Sequence, residues 1–184
     1  MNEKGFTLIE LLATITILSM IMLVAVPNVM STLDKSKRRT YVEDAKKMIS
    51  LAEYRIRSDT SITMPDVSNN VRTAVAITLK SMDLTDFSDG PEGGSYDLDR
   101  SFVVITKSNN SYTYYATLVE KYGDNTNPKY RGIKLVESSA LNAEDAITKV
   151  KDFTTSELPN IPTVNSPQMI SGFIFYFSEV INQK

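Results

Sequence analysis

The chain contains no cysteine, no histidine and no tryptophan among its 184 residues. Without cysteine it has no disulfide framework, no thiol nucleophile and no thiolate zinc site. Without histidine it lacks the usual base of Ser-His and Cys-His catalysis and the commonest metal ligand. Its net charge of -2 creates no overall field that would attract nucleic acid. The commonest catalytic groups are therefore absent, and we expect no enzyme, no cofactor and no nucleic-acid partner, although composition alone leaves open an enzyme built only from Asp, Glu, Lys, Ser and Tyr.

What the sequence does have is one long apolar segment near its start. The segment covers residues 6–26 and is interrupted by a single carboxylate, Glu10, and a few Thr and Ser residues. As a helix it is about 31 Å long, enough to cross a hydrocarbon layer of about 30 Å. An ionised side chain inside that layer costs about 2.5–3.5 kcal/mol. Glu10 therefore needs either the membrane interface, which it can reach by snorkelling, or a partner.

The segment does not have the pattern of a secretory signal peptide. Such peptides have a basic start, about 7–15 apolar residues and a small-residue cleavage site. Here Glu3 offsets the charge of Lys4, the apolar run is too long, and no such site follows Val26. A transmembrane or assembly helix is the better interpretation. The basic residues at 35–39, by the positive-inside rule alone, would place the carboxyl side in the cytoplasm.

A helical pattern continues beyond the apolar segment. Pro27 lies inside it and should bend or loosen the helix locally, because proline lacks a backbone donor. Apolar residues then recur at helical spacing and define one face: Tyr41, Ala45, Met48, Ile49, Ala52 and Ile56. The sequence therefore predicts a helix over residues 6–57 whose second half packs against a globular part.

The globular part begins near residue 58 with a change to polar, loop-forming composition. Apolar spacing predicts a second helix over residues 71–82. Residues 83–99 are rich in Asp and Gly and are predicted to form an exposed connector. Two β-branched and aromatic runs, 102–106 and 112–118, predict a hairpin.

The last third of the chain is less regular. It predicts a third strand over residues 132–136 and a helix over 140–153 that is capped by Ser139 or Asn142. For residues 168–181 both strand and helix are open, and the alternating aromatic residues favour a strand buried on both faces.

The acidic connector also carries candidate calcium ligands. Asp86, Asp89 and Glu92 could supply carboxylate oxygens, which are the ligands that calcium prefers. Their spacing does not match the EF-hand pattern. A solvated, turn-rich connector accounts for the same residues, and the sequence favours that interpretation over a metal site.

The first residues resemble the amino terminus of type IV prepilins and the related pseudopilins: Gly5-Phe6-Thr7-Leu8-Ile9-Glu10, followed by the apolar run and Pro27. The resemblance is specific over about thirty residues, and beyond Ile56 it covers only the general plan. It implies the α+β pilin fold, in which a long N-terminal helix packs against a small, mainly antiparallel sheet. The implied domains are a leader at 1–5, the helix at 6–57 with its hydrophobic part at 6–27, and a head at 58–184.

The resemblance also implies roles for single residues. A prepilin peptidase would cut between Gly5 and Phe6 and methylate the new amine of Phe6. Gly5 has no Cβ, which allows close approach at the scissile bond. Glu10 would pair with the Phe6 amine of a neighbouring subunit, and Pro27 lies where a mid-helix proline recurs in many pilins. Phe6, Glu10 and Pro27 are thus the expected filament-assembly residues.

The implied function is structural: a subunit of a type IV pilus that serves adhesion, motility or biofilm formation. The implied partners are further copies in a helical filament, the prepilin peptidase, and the pilus assembly platform with its ATPase. The chain would be a single-pass cell membrane protein with Met1 inside, and later part of an extracellular filament. The lack of cysteine favours a Gram-positive type, because many members close a carboxyl-terminal loop with a disulfide.

Two alternatives stay open at this point. One is a pseudopilin of a secretion or DNA-uptake (competence) apparatus, which would share the same N-terminal signal. The other is a singly anchored surface protein whose outer domain binds a ligand.

Overall fold

The computed structural model describes residues 6–60, 62, 64–68, 71–82, 87, 89–108, 111–160, 168–170 and 174–180. The chain divides into two compact units, Met1–Lys37 and Arg38–Lys184. One helix of 51 residues, α1 (Leu8–Ser58), contributes to both units. The long helix predicted over residues 6–57 is therefore present, with its start at Leu8 and its end at Ser58.

In the first unit, the surface of helix α1 is exposed and apolar. Every residue from 6 to 33 is exposed. Between Glu10 and Asp34 there is no charged residue. Pro27 lies inside the helix without ending it.

The second unit is built on an antiparallel sheet. Its strands are β1 (Val67–Ser68), β2 (Val71–Thr78), β3 (Ser95–Tyr96), β4 (Phe102–Ser108), β5 (Ser111–Gly123), β6 (Pro128–Glu137), β7 (Val150–Phe153), β8 (Gln168–Ile170) and β9 (Ile174–Val180). The spatial order is β7-β6-β5-β4-β2-β9-β8, with β1 paired to β2 and β3 paired to β5. The pairings between these described strands are all antiparallel. The α+β architecture of a long helix and an antiparallel sheet is thus confirmed.

The hairpin predicted from the β-branched and aromatic runs is also confirmed. β4 and β5 pair from Phe102 opposite Thr117 to Ser108 opposite Ser111. The predicted third strand is present as β6, which pairs with β5 through a shift in register between Ala116 and Leu118. Leu135 in β6 has a φ of 43°, and its N–H donates to the Thr117 hydroxyl at 3.0 Å.

The main core lies between the second half of α1 and one face of the sheet. The buried helix residues are Tyr41, Val42, Ala45, Met48, Ile49, Ala52 and Ile56. They pack in one cluster with sheet residues that include Val75, Ile77, Val103, Ile105, Ala116, Leu118 and Ile133. Fully burying a Val, Leu, Ile, Phe or Met side chain contributes about 1.5–3 kcal/mol to the stability of the folded state. The helical stripe predicted from the sequence is therefore the face that holds α1 to the sheet.

The opposite face of the sheet is buried as well, and this explains one wrong prediction. Residues 71–82 form strand β2 and a 3-10 turn, Leu79–Ser81, instead of a helix. Val75 and Ile77 enter the main core, whereas Ala74 and Ala76 enter a second cluster with Phe102 and Val104. A strand buried on both faces has a continuous apolar run, which its periodicity cannot distinguish from a helix.

The helix predicted over residues 140–153 is also wrong. The structure has a single helical turn α2 (Ser138–Leu141), a 3-10 turn (Ala146–Lys149) and strand β7. Asn142, predicted to start the helix, instead follows the end of α2 as its C-cap. Leu141, Ala146 and Val150 still reach the main core, but they do so from three separate short elements.

The acidic connector is more buried than predicted. Phe87 and Tyr96 both lie in the main core, and strand β3 pairs with β5 inside this segment. Residues 83–86 and 88, and the hairpin turn at 109–110, lie outside the described residues. In the tail, the prediction of a strand is confirmed for β9, while Phe173 and the side chains of β9 lie outside the description.

We expect Met48→Ala to destabilise the head strongly, because Met48 is fully buried in the main core. Removing a side chain of this size costs about 2–5 kcal/mol, since the cavity is only partly refilled. Denaturant unfolding of the full chain in detergent micelles, followed by tyrosine circular dichroism, would measure the loss. Ser50→Ala on the exposed side of the same helix is the control and should change stability by no more than about 0.5 kcal/mol. Equal stability of the two variants would contradict the assigned core face.

Candidate functional site

The candidate site is the start of helix α1, where Glu10 was expected to act. The helix begins at Leu8, so Thr7 occupies the N-cap position. The first intrahelical bond runs from the Leu11 N–H to the Thr7 carbonyl at 3.2 Å. The Thr7 N–H and the Thr7 hydroxyl both donate to Oε2 of Glu10, each at 2.8 Å. The Glu10 N–H donates in return to the Thr7 hydroxyl at 3.4 Å.

These contacts form a capping box, in which the N-cap side chain and the third helical residue satisfy each other's backbone donors. Two of the four N–H groups that a helix start leaves unpaired thus find partners in the same turn. The negative charge of Glu10 also lies near the positive end of the helix dipole. The carboxylate therefore has a local structural role in the single chain, before any second subunit is present.

Thr7 was missed as a functional residue, although the sequence carries the signal for it. Residues 7–10 read Thr-x-x-Glu directly ahead of an apolar run, which is the signature of a capping box.

The charges on either side of the apolar stretch indicate where Glu10 would lie if α1 crossed a membrane. Residues 11–33 carry no charge, and as a helix they are about 34 Å long. Helix α1 is long and apolar enough to cross a membrane, as judged by length and composition. A hydrocarbon layer of about 30 Å fits between Glu10 and Asp34. Glu10 then lies at one interface, where a carboxylate is far less costly than at the centre.

Polar side chains inside the span are satisfied by the helix backbone. The hydroxyls of Thr14, Thr16 and Ser19 donate to carbonyls one turn earlier, at 2.7–2.8 Å. The Asn28 amide donates to the Val24 carbonyl at 3.1 Å. Such bonds remove the main cost of polar groups in an apolar medium.

Pro27 marks an interruption in this backbone ladder. Because it has no N–H, the carbonyl of Leu23 loses its usual donor four residues later. A shallow, mainly apolar groove lies at the same place on the helix surface and is lined by Ser19, Met22, Leu23, Val26 and Pro27. Pro27 therefore leaves both an acceptor and a surface depression on an otherwise regular apolar helix.

The other predicted residues are placed as follows. Phe6 precedes the capping box and is 84% exposed. Gly5 and Asp86 lie outside the described residues. Asp89 forms an isolated bridge with Ser95, and the Glu92 carboxylate accepts from Arg131 Nη1 at 2.7 Å.

The part of the chain that the structure describes holds no group of three acidic side chains arranged like a metal site. Of the three calcium candidates, Asp89 and Glu92 have the contacts given above. The site whose residues the structure brings together is the helix start.

Comparison with known families identifies the same segment. Residues 1–26 match the model of the prokaryotic N-terminal methylation motif. No curated protein and no solved structure matches the chain significantly. That motif is the signal of type IV pilin-like prepilins, so the match indicates a prepilin-like N-terminal segment of the pilin or pseudopilin kind.

We expect Thr7→Val to loosen the first turn of α1 without affecting the rest of the helix. Valine keeps the shape of threonine but removes the hydroxyl that takes part in the capping box. Losing an N-cap costs about 0.5–2 kcal/mol. Backbone amide exchange of the full chain in micelles should become faster at Glu10 and Leu11. Thr16→Val is the matched control, because the Thr16 hydroxyl bonds only within the helix interior. Unchanged exchange at Glu10 in Thr7→Val would exclude the capping box.

Proposed function

We propose that this chain is the precursor of a structural subunit of a type IV pilus. The peptidase cuts between Gly5 and Phe6, the new amine of Phe6 is methylated, and the subunits assemble through the apolar half of α1. The observation that carries this proposal is the exposed apolar stretch of residues 6–33, whose lone carboxylate, Glu10, is fixed at the first turn of α1. We retain the division into a leader at 1–5, a helix at 6–57 and a head at 58–184.

An apolar helix surface that is exposed in the single chain must be buried against another apolar phase or protein. Burying apolar surface contributes about 25 cal/mol per Å², so residues 6–33 will lie either in lipid or against other apolar helices. Before assembly, when the protein spans the cell membrane once, lipid surrounds residues 6–33. In an extracellular filament, the α1 helices of other copies surround the same residues. A head-to-tail contact that does not close into a ring propagates into a fibre of this kind.

Glu10 has room for a partner in such a fibre. A carboxylate offers about four acceptor positions on two oxygens. The described bonds from Thr7 both reach Oε2, and the remaining positions suit the positive amine of a neighbour's Phe6. That pairing compensates two charges which are each costly in an apolar bundle. The capping box thus orients the carboxylate that the neighbour's amine would meet.

Pilus and pseudopilus share the same N-terminal signal, and a pseudopilin of a secretion or DNA-uptake apparatus is the second candidate. Both candidates require processing and assembly by the peptidase, the platform and the ATPase. They differ in product, since a pilus extends as long surface fibres and a pseudopilus forms a short piston. Electron microscopy of sheared surface material, with and without this gene, distinguishes them.

We expect the mature chain to begin at Phe6 and to carry one methyl group on its amine. Mass analysis of the N-terminal peptide from purified membranes or fibres measures this directly. Replacing Gly5 with leucine should block the cut, because a side chain at that position hinders close approach of the peptidase. An intact Met1 in surface material would contradict the proposal and would favour a singly anchored surface protein.

We expect Glu10→Gln and Glu10→Ala to be processed and membrane-bound but to form few or no fibres. Glutamine can still cap the helix, so its defect would report the lost charge and not the lost cap. Thr7→Val is the complementary control, since it breaks the capping box and keeps the carboxylate. The amount of subunit in the sheared fraction, relative to the membrane fraction, is the measurement. Normal fibres from Glu10→Gln would refute the charge-pairing role.

A further inference from the structure

The carboxylate of Glu120 is buried in the head. Glu120 lies in strand β5 and has no exposed surface, with its neighbours Leu118 and Val119 also fully buried. A buried carboxylate is costly unless hydrogen bonds satisfy its oxygens. The proposed function gives Glu120 no role, so its surroundings must explain why the chain keeps a charge there.

The Glu120 carboxylate accepts hydrogen bonds from helix α1 and from the turn at residues 90–94. The Tyr41 hydroxyl on α1 donates to Oε2 at 2.5 Å. The Gly94 N–H donates to Oε1 at 2.8 Å, and the Glu92 N–H is shared between both oxygens at 3.1 and 3.2 Å. Burial, together with the bond to Glu120, raises the pKa of Tyr41, so this hydroxyl stays a donor at ordinary pH.

The turn at residues 90–94 is folded around the carboxylate. It closes on itself through two backbone bonds, from Gly90 N–H to the Gly94 carbonyl at 2.9 Å and from Gly93 N–H to the Gly90 carbonyl at 3.0 Å. Gly93 has a φ of +86°, a conformation that glycine adopts without strain. A Cβ on Gly90 would lie 2.1 Å from Cδ of Glu120. The turn therefore needs glycine both for its shape and for its approach to the carboxylate.

The charged groups around the turn are directed elsewhere. The side chain of Glu92 turns away from Glu120 and accepts from Arg131 Nη1 at 2.7 Å, where both side chains are only 10% exposed. Arg131 is the Cα partner of Glu120 across β5 and β6, and its Nε lies 3.4 Å from Asp152. What converges on the carboxylate is a set of N–H and O–H donors. Converging donors bind anions, whereas a calcium site needs converging oxygens.

We infer that residues 90–94, together with Tyr41, form an internal anion-binding site whose ligand is the Glu120 carboxylate. The site takes carboxylates as a chemical class, and the chain supplies its own. The turn at residues 90–94 is therefore closed around an anion and not around a cation. The same contact ties the connector to α1 and to the centre of the sheet.

A small carboxylate should replace the missing side chain when Glu120 is truncated. We expect Glu120→Ala in the full chain, in nonionic micelles, to lower the Tm of the head by several degrees. Sodium formate at tens of millimolar should raise that Tm, whereas sodium chloride at the same ionic strength should not. Wild type and Glu144→Ala, which removes an exposed carboxylate, should show neither the loss nor the rescue.

A second variant decides the case in which Glu120→Ala does not fold. Glu120→Gln keeps the shape but removes the negative charge and replaces one acceptor oxygen with an NH2 group, which donates and cannot accept. We expect the Glu92 and Gly94 amides to exchange at least about tenfold faster than in wild type, since bonds to a charged acceptor are among the strongest. Wild-type protection of both amides in Glu120→Gln would overturn the inference.

Two further results would also overturn the inference. One is formate raising the Tm of wild type and Glu120→Ala equally. The other is calcium, but not magnesium, raising the Tm of wild-type protein prepared with a chelator. Folding of Glu120→Ala only in the presence of formate would support the internal anion site directly.

Discussion

The apolar surface of helix α1 is the constraint on which the rest of this protein depends. From residue 6 to 33 that surface is exposed, and from residue 41 to 56 one face of it is buried against the sheet. The buried face holds α1 against the sheet. The exposed apolar part requires surroundings that are themselves apolar. A single helix thus combines a segment that needs lipid or other helices with a segment that its own chain covers.

The globular part of the chain shows the reverse arrangement, because a few polar groups are buried inside its apolar core. Glu120, Tyr41 and Arg131 connect α1, the connector and neighbouring strands through hydrogen bonds that apolar residues could not make. Tyr96 adds a parallel link, since its hydroxyl donates to Asp44 of α1 at 2.5 Å. Such links are directional, so they add geometric requirements that apolar packing alone does not impose.

The sequence predicts those parts of the structure whose pattern is local. The stripe from Tyr41 to Ile56 and the β4–β5 hairpin have clear periods, and both are confirmed. Strand β2 was predicted as a helix, because burial on both faces removes the alternation that identifies a strand. The cluster around Glu120 could not be predicted, since Tyr41 lies 79 residues away in the chain. The contact from Thr7 to Glu10 spans three residues and could have been found.

The capping box has a consequence for the proposed cleavage before Phe6. Phe6 and Thr7 lie outside the regular helix. The N–H group that donates to the Glu10 carboxylate is that of Thr7, in the peptide bond between Phe6 and Thr7. A cut ahead of Phe6 leaves that donor and the whole first turn intact. In the proposed cleavage, the peptidase would therefore cut ahead of the N-cap residue without unwinding α1, and the first turn would be the same before and after the cut. The proposed maturation would place a positive amine next to the helix start and would leave the hydrogen bonds of the first turn unchanged.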